Sequence, residues 1–144
     1  MQGTMLYGPR DIRFEDRPEP AITKPTDAVI SLSATCICGS DLWPYRGIAE
    51  MTKPSPMGHE YCGIVEELGR EVRNIKPGQF VVGSFATSDN TCVICRDGYQ
   101  SSCVHREFMS EAQAPQLRVP LADGTLVATT KAEPLDRACG SVGA

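Results

Sequence analysis

The chain contains no run of apolar residues approaching the roughly 20 needed to cross a bilayer, and its N-terminus has no apolar stretch of signal-peptide length. A membrane partner is therefore not expected, and a cytoplasmic location follows by default. It also lacks any block of basic residues. Lys+Arg number 14 against 18 Asp+Glu, for a formal charge of -4, so there is no surface to track a phosphate backbone. Aromatic residues are sparse at 6%, and none forms a stacking platform with basic neighbours around Cys92 and Cys95. Nucleic acid is not expected as a partner on either count. Internal repeats, low-complexity tracts and an acidic tail are missing too, which removes the solenoid and disordered classes.

What is present suits a folded domain. At 144 residues and 41% hydrophobic content the chain can bury a real core as one unit. Its 11 prolines and 13 glycines cut it into short segments with β-branched residues between the breaks, the pattern of a mainly β domain with many turns. Ala28 to Ala34 reads as a strand. So does Gly63 to Gly69, followed by a turn at Lys76-Pro77-Gly78 and a further strand from Gln79 to Gly83. Leu117 to Pro120 and Thr125 to Thr129 are expected to pair as a hairpin through Asp123-Gly124. Cys38 to Tyr45 reads as a short helix capped by Ser40 or Asp41.

Seven cysteines, an odd number in a reducing compartment, point to metal ligands or buried thiols rather than disulfides. Cys36 and Cys62 lie among apolar residues and read as small buried hydrophobes. The others fall mostly into two groups of different character. Cys38-Gly39-Ser40-Asp41 is answered by Gly58-His59-Glu60, a sparse and mixed set that suits a catalytic zinc, where one coordination position must stay open. The run Asp89-x2-Cys92-x2-Cys95-x7-Cys103 is dense and rich in thiolates, as a structural zinc requires. Up to two zinc ions per chain are expected.

Three ordered segments carry a resemblance: Thr35 to Trp43, Pro56 to Gly63, and Lys76-Pro77-Gly78-Gln79. Together with the cysteine lobe they resemble the N-terminal, GroES-like catalytic domain of zinc-dependent alcohol dehydrogenases, the medium-chain dehydrogenase family. The match runs from about the first residue to at least Gly124. The resemblance implies a mainly β fold with short helices, a GroES-like, partly open β-barrel carrying a zinc-binding loop lobe at about residues 86–106. The catalytic domain is expected to span 1–124, with 125–144 as a tail of uncertain structure.

The same resemblance implies roles residue by residue. Cys38 and His59 match the first two catalytic-zinc ligands, and Glu60 the carboxylate that sits beside the metal or binds it. Ser40 matches the hydroxyl that relays the alcohol proton, although a helix cap would need no catalytic role. Asp41 matches the acid that accepts the other ring N–H of the histidine ligand and fixes its tautomer. In the lobe, Asp89 stands where the family pattern has its first cysteine, with Cys92, Cys95 and Cys103 in register. Zinc takes carboxylate oxygen at about the distance of imidazole nitrogen, so a site of one aspartate and three cysteines is reasonable, if weaker than an all-cysteine one. His105 is the runner-up ligand. For the third catalytic ligand, Ala132-Glu133-Pro134-Leu135 resembles the Glu-Pro-Leu motif of the polyol-dehydrogenase branch, which makes Glu133 a candidate against the plain reading of a surface glutamate. Cys139 is a poorer one.

Family members continue into a Rossmann domain that holds NAD or NADP. No G-x-G-x-x-G follows an expected strand here, so the Rossmann domain is expected to be absent and neither nicotinamide is expected to bind this chain alone. Two readings follow. One is the zinc-bearing half of an alcohol or polyol dehydrogenase, a truncated or separated domain with impaired catalysis, acting on a small-molecule alcohol or polyol. The other is a non-catalytic zinc-binding or protein-interaction module that keeps the fold. A small zinc ribbon for nucleic acid is a distant third reading of the lobe. Apolar surface left uncovered is expected to make the chain a homo-oligomer.

Overall fold

The computed structural model describes residues 1–129. In chain order the strands are β1 (Gln2–Gly8), β2 (Asp11–Asp16), β3 (Ala28–Cys36), β4 (Ser55–Pro56), β5 (Glu60–Leu68), β6 (Phe80–Gly83), β7 (Gln116–Val119) and β8 (Leu126–Ala128). They form a three-stranded sheet of order β2-β1-β4 and a five-stranded sheet of order β7-β3-β5-β6-β8. Every pairing within both is antiparallel. Among the described residues neither sheet closes into a barrel. The helices are single turns: α1 (Leu42–Tyr45), α2 (Val93–Arg96) and α3 (Ala122–Thr125).

The pair β3 and β5 is the spine of the larger sheet, each strand nine residues long. Side chains alternate along β5 as the pleat dictates. Tyr61 and Val65 enter the main core with Ile30, Val81, Leu117, Val119 and Leu126. Cys62 points the other way and packs with Phe80 against Ala34, Ile64 and Val82. Each fully buried aliphatic side chain of this kind contributes about 1.5–3 kcal/mol before the entropy of ordering it is subtracted. The ladder also carries β5 three residues further toward the N-terminus than its β-branched run suggests, since Thr35 and Cys36 pair with Tyr61 and Glu60.

Two local expectations are corrected. The segments at 117–120 and 125–129 do not form a hairpin. β7 pairs with β3 at one edge of the sheet and β8 with β6 at the other. Between them Asp123 and Gly124 lie inside α3, which starts after Leu121 in a left-handed conformation. Burial decides this: Leu126 completes the core beside the open edge of β6, and Thr125 donates its hydroxyl to the Pro120 carbonyl at 3.1 Å. β8 thus places the first residues of the expected tail in the sheet. The second correction concerns the turn after β3. Asp41, one of the two expected caps, does hold the N-cap position of α1, though without a side-chain bond into that helix, while Ser40 lies inside a preceding turn that was not expected. Cys38 occupies the cap of a 3-10 turn over Gly39–Asp41, and Asp41 reaches back to accept the Cys38 N–H at 2.9 Å.

Strands β1 and β2 have no counterpart in the sequence reading. β2 is largely exposed, so it carries no inward-facing apolar pattern to betray it.

A buried carboxylate ties the entry of the spine to the sheet edge. Asp27, fully buried, accepts from the Thr23 and Lys24 backbone N–H groups, the Thr23 hydroxyl and the Arg118 guanidinium through one oxygen. Burial alone would raise its pKa, but these donors outweigh it and hold the group below the usual carboxylate value. Because the folded pKa is depressed, this stabilisation is fully present above about pH 4 and is lost as pH falls through the folded value. Asp27→Asn should therefore cost about 3 kcal/mol at neutral pH by denaturant titration. The difference from wild type should shrink below pH 4; a constant difference down to pH 2 would contradict the assignment.

Candidate metal centres

The first cluster follows from the register of the spine. Cys36 pairs with Glu60, so the residues just beyond β3 and just before β5 emerge side by side. Cys38 comes from the first end, His59 and Glu60 from the second, and one ligand atom from each of the three lies within 4.8 Å of the others. Gly58 sets the approach. Its φ is +95°, and a Cβ there would lie 2.6 Å from the Gln113 backbone nitrogen. Only glycine makes this turn beside a neighbouring main chain, and the turn delivers His59 to the cluster.

The two nitrogens of His59 face different partners. Nδ1 lies 3.4 Å from Oδ1 of buried Asp41, and Nε2 lies 3.2 Å from the Ser40 hydroxyl oxygen. Asp41 is held in turn by the Cys38 N–H. A proton on Nδ1 directed at Asp41 leaves the Nε2 lone pair toward the cluster, the arrangement a ligating histidine needs. The ring of Phe85 meets His59 edge-on with centroids 6.0 Å apart, and Phe108 stacks on Phe85 at 5.9 Å. These two aromatics escaped the sequence reading. Both are exposed and lie 23 positions apart in the chain, so only the fold brings them beside the histidine.

The second cluster occupies a lobe closed at its base by the bridge between Ala86 and Phe108. Backbone bonds from Thr87 N–H to the Glu107 carbonyl and from Met109 N–H to the Phe85 carbonyl reinforce the closure. Gly124 of α3 packs directly on it: a Cβ would stand 2.1 Å from the Ser88 carbonyl oxygen. Beyond that base, Asp89, Cys92, Cys95 and Cys103 bring one ligand atom each within 4.8 Å of one another. Asn90 takes a left-handed φ of 55°, turning the chain so that Asp89 Oδ1 accepts the N–H groups of Thr91 and Cys92. Cys92 then caps α2 and accepts the Cys95 N–H on its sulfur.

Electrostatics in the lobe favour the anion at Asp89 and Cys92 but the neutral thiol at Cys95. The Thr91 N–H, the His105 ring and the Cys92 N–H together hold Asp89 far below the usual carboxylate range, against the opposing effect of burial. The N–H groups of Val104 and Cys95 lower the Cys92 thiol. Burial pushes the Cys95 thiol up to about 12, so metal uptake there displaces a proton. His105 is outside the four-residue group. Its Nδ1 instead contacts Asp89 Oδ2 at 2.5 Å.

Both donor sets fit zinc chemically. Thiolate, imidazole and carboxylate in the first, and three thiolates with one carboxylate in the second, are ligands zinc accepts. Glu133 and Cys139 lie outside the described residues.

Comparison with known proteins agrees with this geometry. Residues 24–133 match the Alcohol dehydrogenase GroES-like domain. The chain is 40% identical over 133 residues to the medium chain reductase/dehydrogenase ucsI of Acremonium sp., covering 88% of this chain and 46% of that protein. It is 36% identical to zinc-type alcohol dehydrogenase B of Aspergillus flavus, over 88% of this chain and 31% of that one. The chain therefore spans less than half the length of these relatives. Among solved structures, alcohol dehydrogenase TADH from a Thermus species superposes with a TM-score of 0.88 at 28% identity, over 96% of this chain and 43% of that one. Zinc dependent alcohol dehydrogenase 2 from Streptococcus pneumonia superposes with a TM-score of 0.80 at 35% identity, over 94% and 39% respectively.

Metal analysis of freshly purified protein should find zinc. Chelation should speed amide exchange across 88–105 and leave the β3–β5 ladder protected, because ligand bonds rather than a core order the lobe. Asp89→Cys should tighten the lobe site. Zinc-free protein with exchange unchanged by chelator would refute this assignment.

Proposed function

The chain belongs to the alcohol dehydrogenase GroES-like domain family, within the zinc-type medium-chain dehydrogenases, and from that premise we propose that it is the alcohol-activating part of an NAD- or NADP-dependent alcohol or polyol dehydrogenase. One observation carries the reading: Cys38, His59 and Glu60 converge while buried Asp41 stands behind the ring of His59.

In this proposal the Cys38 thiolate, the His59 Nε2 and the Glu60 carboxylate hold a zinc ion. Zinc bound there supplies Lewis acidity that lowers the pKa of an alcohol hydroxyl, and a nicotinamide supplies the hydride acceptor. The chain's own residues do the rest. Asp41 keeps the Nδ1 proton of His59 in place and so presents Nε2 to the site. The Ser40 hydroxyl, beside that same nitrogen and open to solvent, takes the alcohol proton and passes it to water. The Phe85 and Phe108 rings shield one side of the site with apolar surface, which favours the alkyl part of a substrate. Asp89, Cys92, Cys95 and Cys103 hold a second zinc ion with a structural role. Hydride transfer requires the nicotinamide carbon within about 3–3.5 Å of the substrate carbon, and the chain spans less than half the length of its curated relatives. The present chain assayed alone should accordingly turn over several orders of magnitude below an enzyme-like rate.

Cobalt substitution separates the activation step from turnover. The lobe's three thiolates keep their own cobalt absorption in both proteins, so the readout is the wild type minus Cys38→Ser difference spectrum: its thiolate-to-cobalt component should shift when a small alcohol or polyol is added. No difference spectrum between the two proteins would refute the ligand assignment. Rapid reduction of NAD or NADP by the isolated chain, abolished by Cys38→Ser, would refute the dependence on a separate cofactor-binding part.

Exposed Ile37, Trp43, Ile48 and Val127 leave apolar surface on this body, and the proposal includes self-association through it. Light scattering at high concentration should report a dimer or larger species; a monomer would contradict it.

A further inference from the structure

His105 stands two residues past Cys103 and touches the lobe's candidate ligands at both ends of the sequence motif. Its backbone N–H donates to Cys103 Sγ at 3.4 Å, and its ring Nδ1 meets Asp89 Oδ2 at 2.5 Å. The opposite oxygen of Asp89 is already held by the N–H groups of Thr91 and Cys92. The carboxylate is thereby gripped on both oxygens, three donors fixing its plane. The ring is largely exposed while the Asp89 side chain is mostly buried, so the histidine lies over the carboxylate from outside.

The chemistry of the donor set gives this contact a purpose. Three thiolates and a carboxylate carry more negative charge than a divalent ion cancels. A carboxylate is also a harder and less directional ligand than the cysteine that would complete an all-thiolate site. Such a ligand gains most from outer hydrogen bonds that orient it and draw off charge. Met109, Ala86 and Cys103 are buried near the lobe, but the span from Asn90 to Gln100 exposes most of its side chains, so little packing is available to do that work.

We propose that His105 is the positioning residue that makes Asp89 a competent zinc ligand: its Nδ1–H clasps the carboxylate while its backbone N–H clasps Cys103, closing the first and last ligands of the lobe onto one metal ion. The inference rests on the reading of the lobe as a zinc site. It assigns His105 a place outside the coordination sphere rather than within it.

The test is a double-mutant cycle read as zinc affinity, measured by competition with a chromophoric chelator in a Cys38→Ser background so that only the lobe reports. His105→Phe should weaken binding about 10- to 100-fold. His105→Asn, which keeps an N–H donor near the position of Nδ1, should recover most of that loss. In an Asp89→Cys background His105→Phe should have no effect, because no carboxylate remains to be held. The proposal is overturned if His105→Phe binds zinc as tightly as its parent, if Asn is no better than Phe, or if the loss is the same size with Cys at position 89. Absence of lobe zinc from the parent itself would bring down the zinc reading and the inference with it. Zinc bound tightly but indifferent to His105 would bring down the inference alone.

Discussion

The register that sets Cys36 opposite Glu60 is the constraint on which both the sheet and the first metal cluster depend. A strand's side chains alternate with a period of two, so a slip of one residue in this pair would turn Tyr61 and Val65 out of the core and carry His59 away from Cys38. Burial of those residues against Ile30 and Val81 resists the slip. The same hydrophobic free energy that stabilises the domain therefore fixes the spacing of candidate ligands that themselves bury little surface. Gly58 adds the last turn, its backbone lying where any side chain would strike Gln113.

The lobe is held on different terms. Its base is anchored by main-chain bonds between 85–87 and 107–109 and by the contact of Gly124 with Ser88. Its tip has few buried residues besides Cys95 and Cys103. Order there comes from polar groups converging on four anionic or acidic side chains, a charge density that a bound cation would balance. A chain of ring contacts runs from the base of the lobe to the first cluster. Phe108, at the closing end of the lobe, stacks on Phe85, which faces His59.

Much of this was legible in the residues. Ala28 to Ala34 and Gln79 to Gly83 announce strands because β-branched side chains are bounded by turn residues, and the cysteine spacing in the lobe announces a group of side chains that converge. The hairpin assigned across Asp123-Gly124 fails for a reason that no local rule contains. A turn signal says that the chain reverses, but which edge Leu126 then joins depends on where β6 leaves space in the core. Asp41 was legible as a cap and holds that position in α1, whereas the 3-10 turn capped by Cys38 was missed because the end of β3 decides where the chain begins to turn. β2 was missed because it is largely exposed, and β1 because only Gly3 and Leu6 of its seven residues are buried, too few to mark an alternating face.

By itself the sequence determined the kinds of chemistry present: a mixed Cys, His and Glu set, a lobe of three cysteines and an aspartate, and a mainly β chain able to bury a core. These are properties of residue type and short-range spacing, which survive any folding. The tertiary structure alone decided the convergence of Cys38 with His59 across 20 intervening residues, the presentation of one imidazole nitrogen to Asp41 and the other to Ser40, and the placing of His105 against Asp89 rather than among the ligands. Each of these is a long-range contact fixed by strand register and loop closure, and the free energy that selects it comes from core residues remote in sequence from the groups it positions.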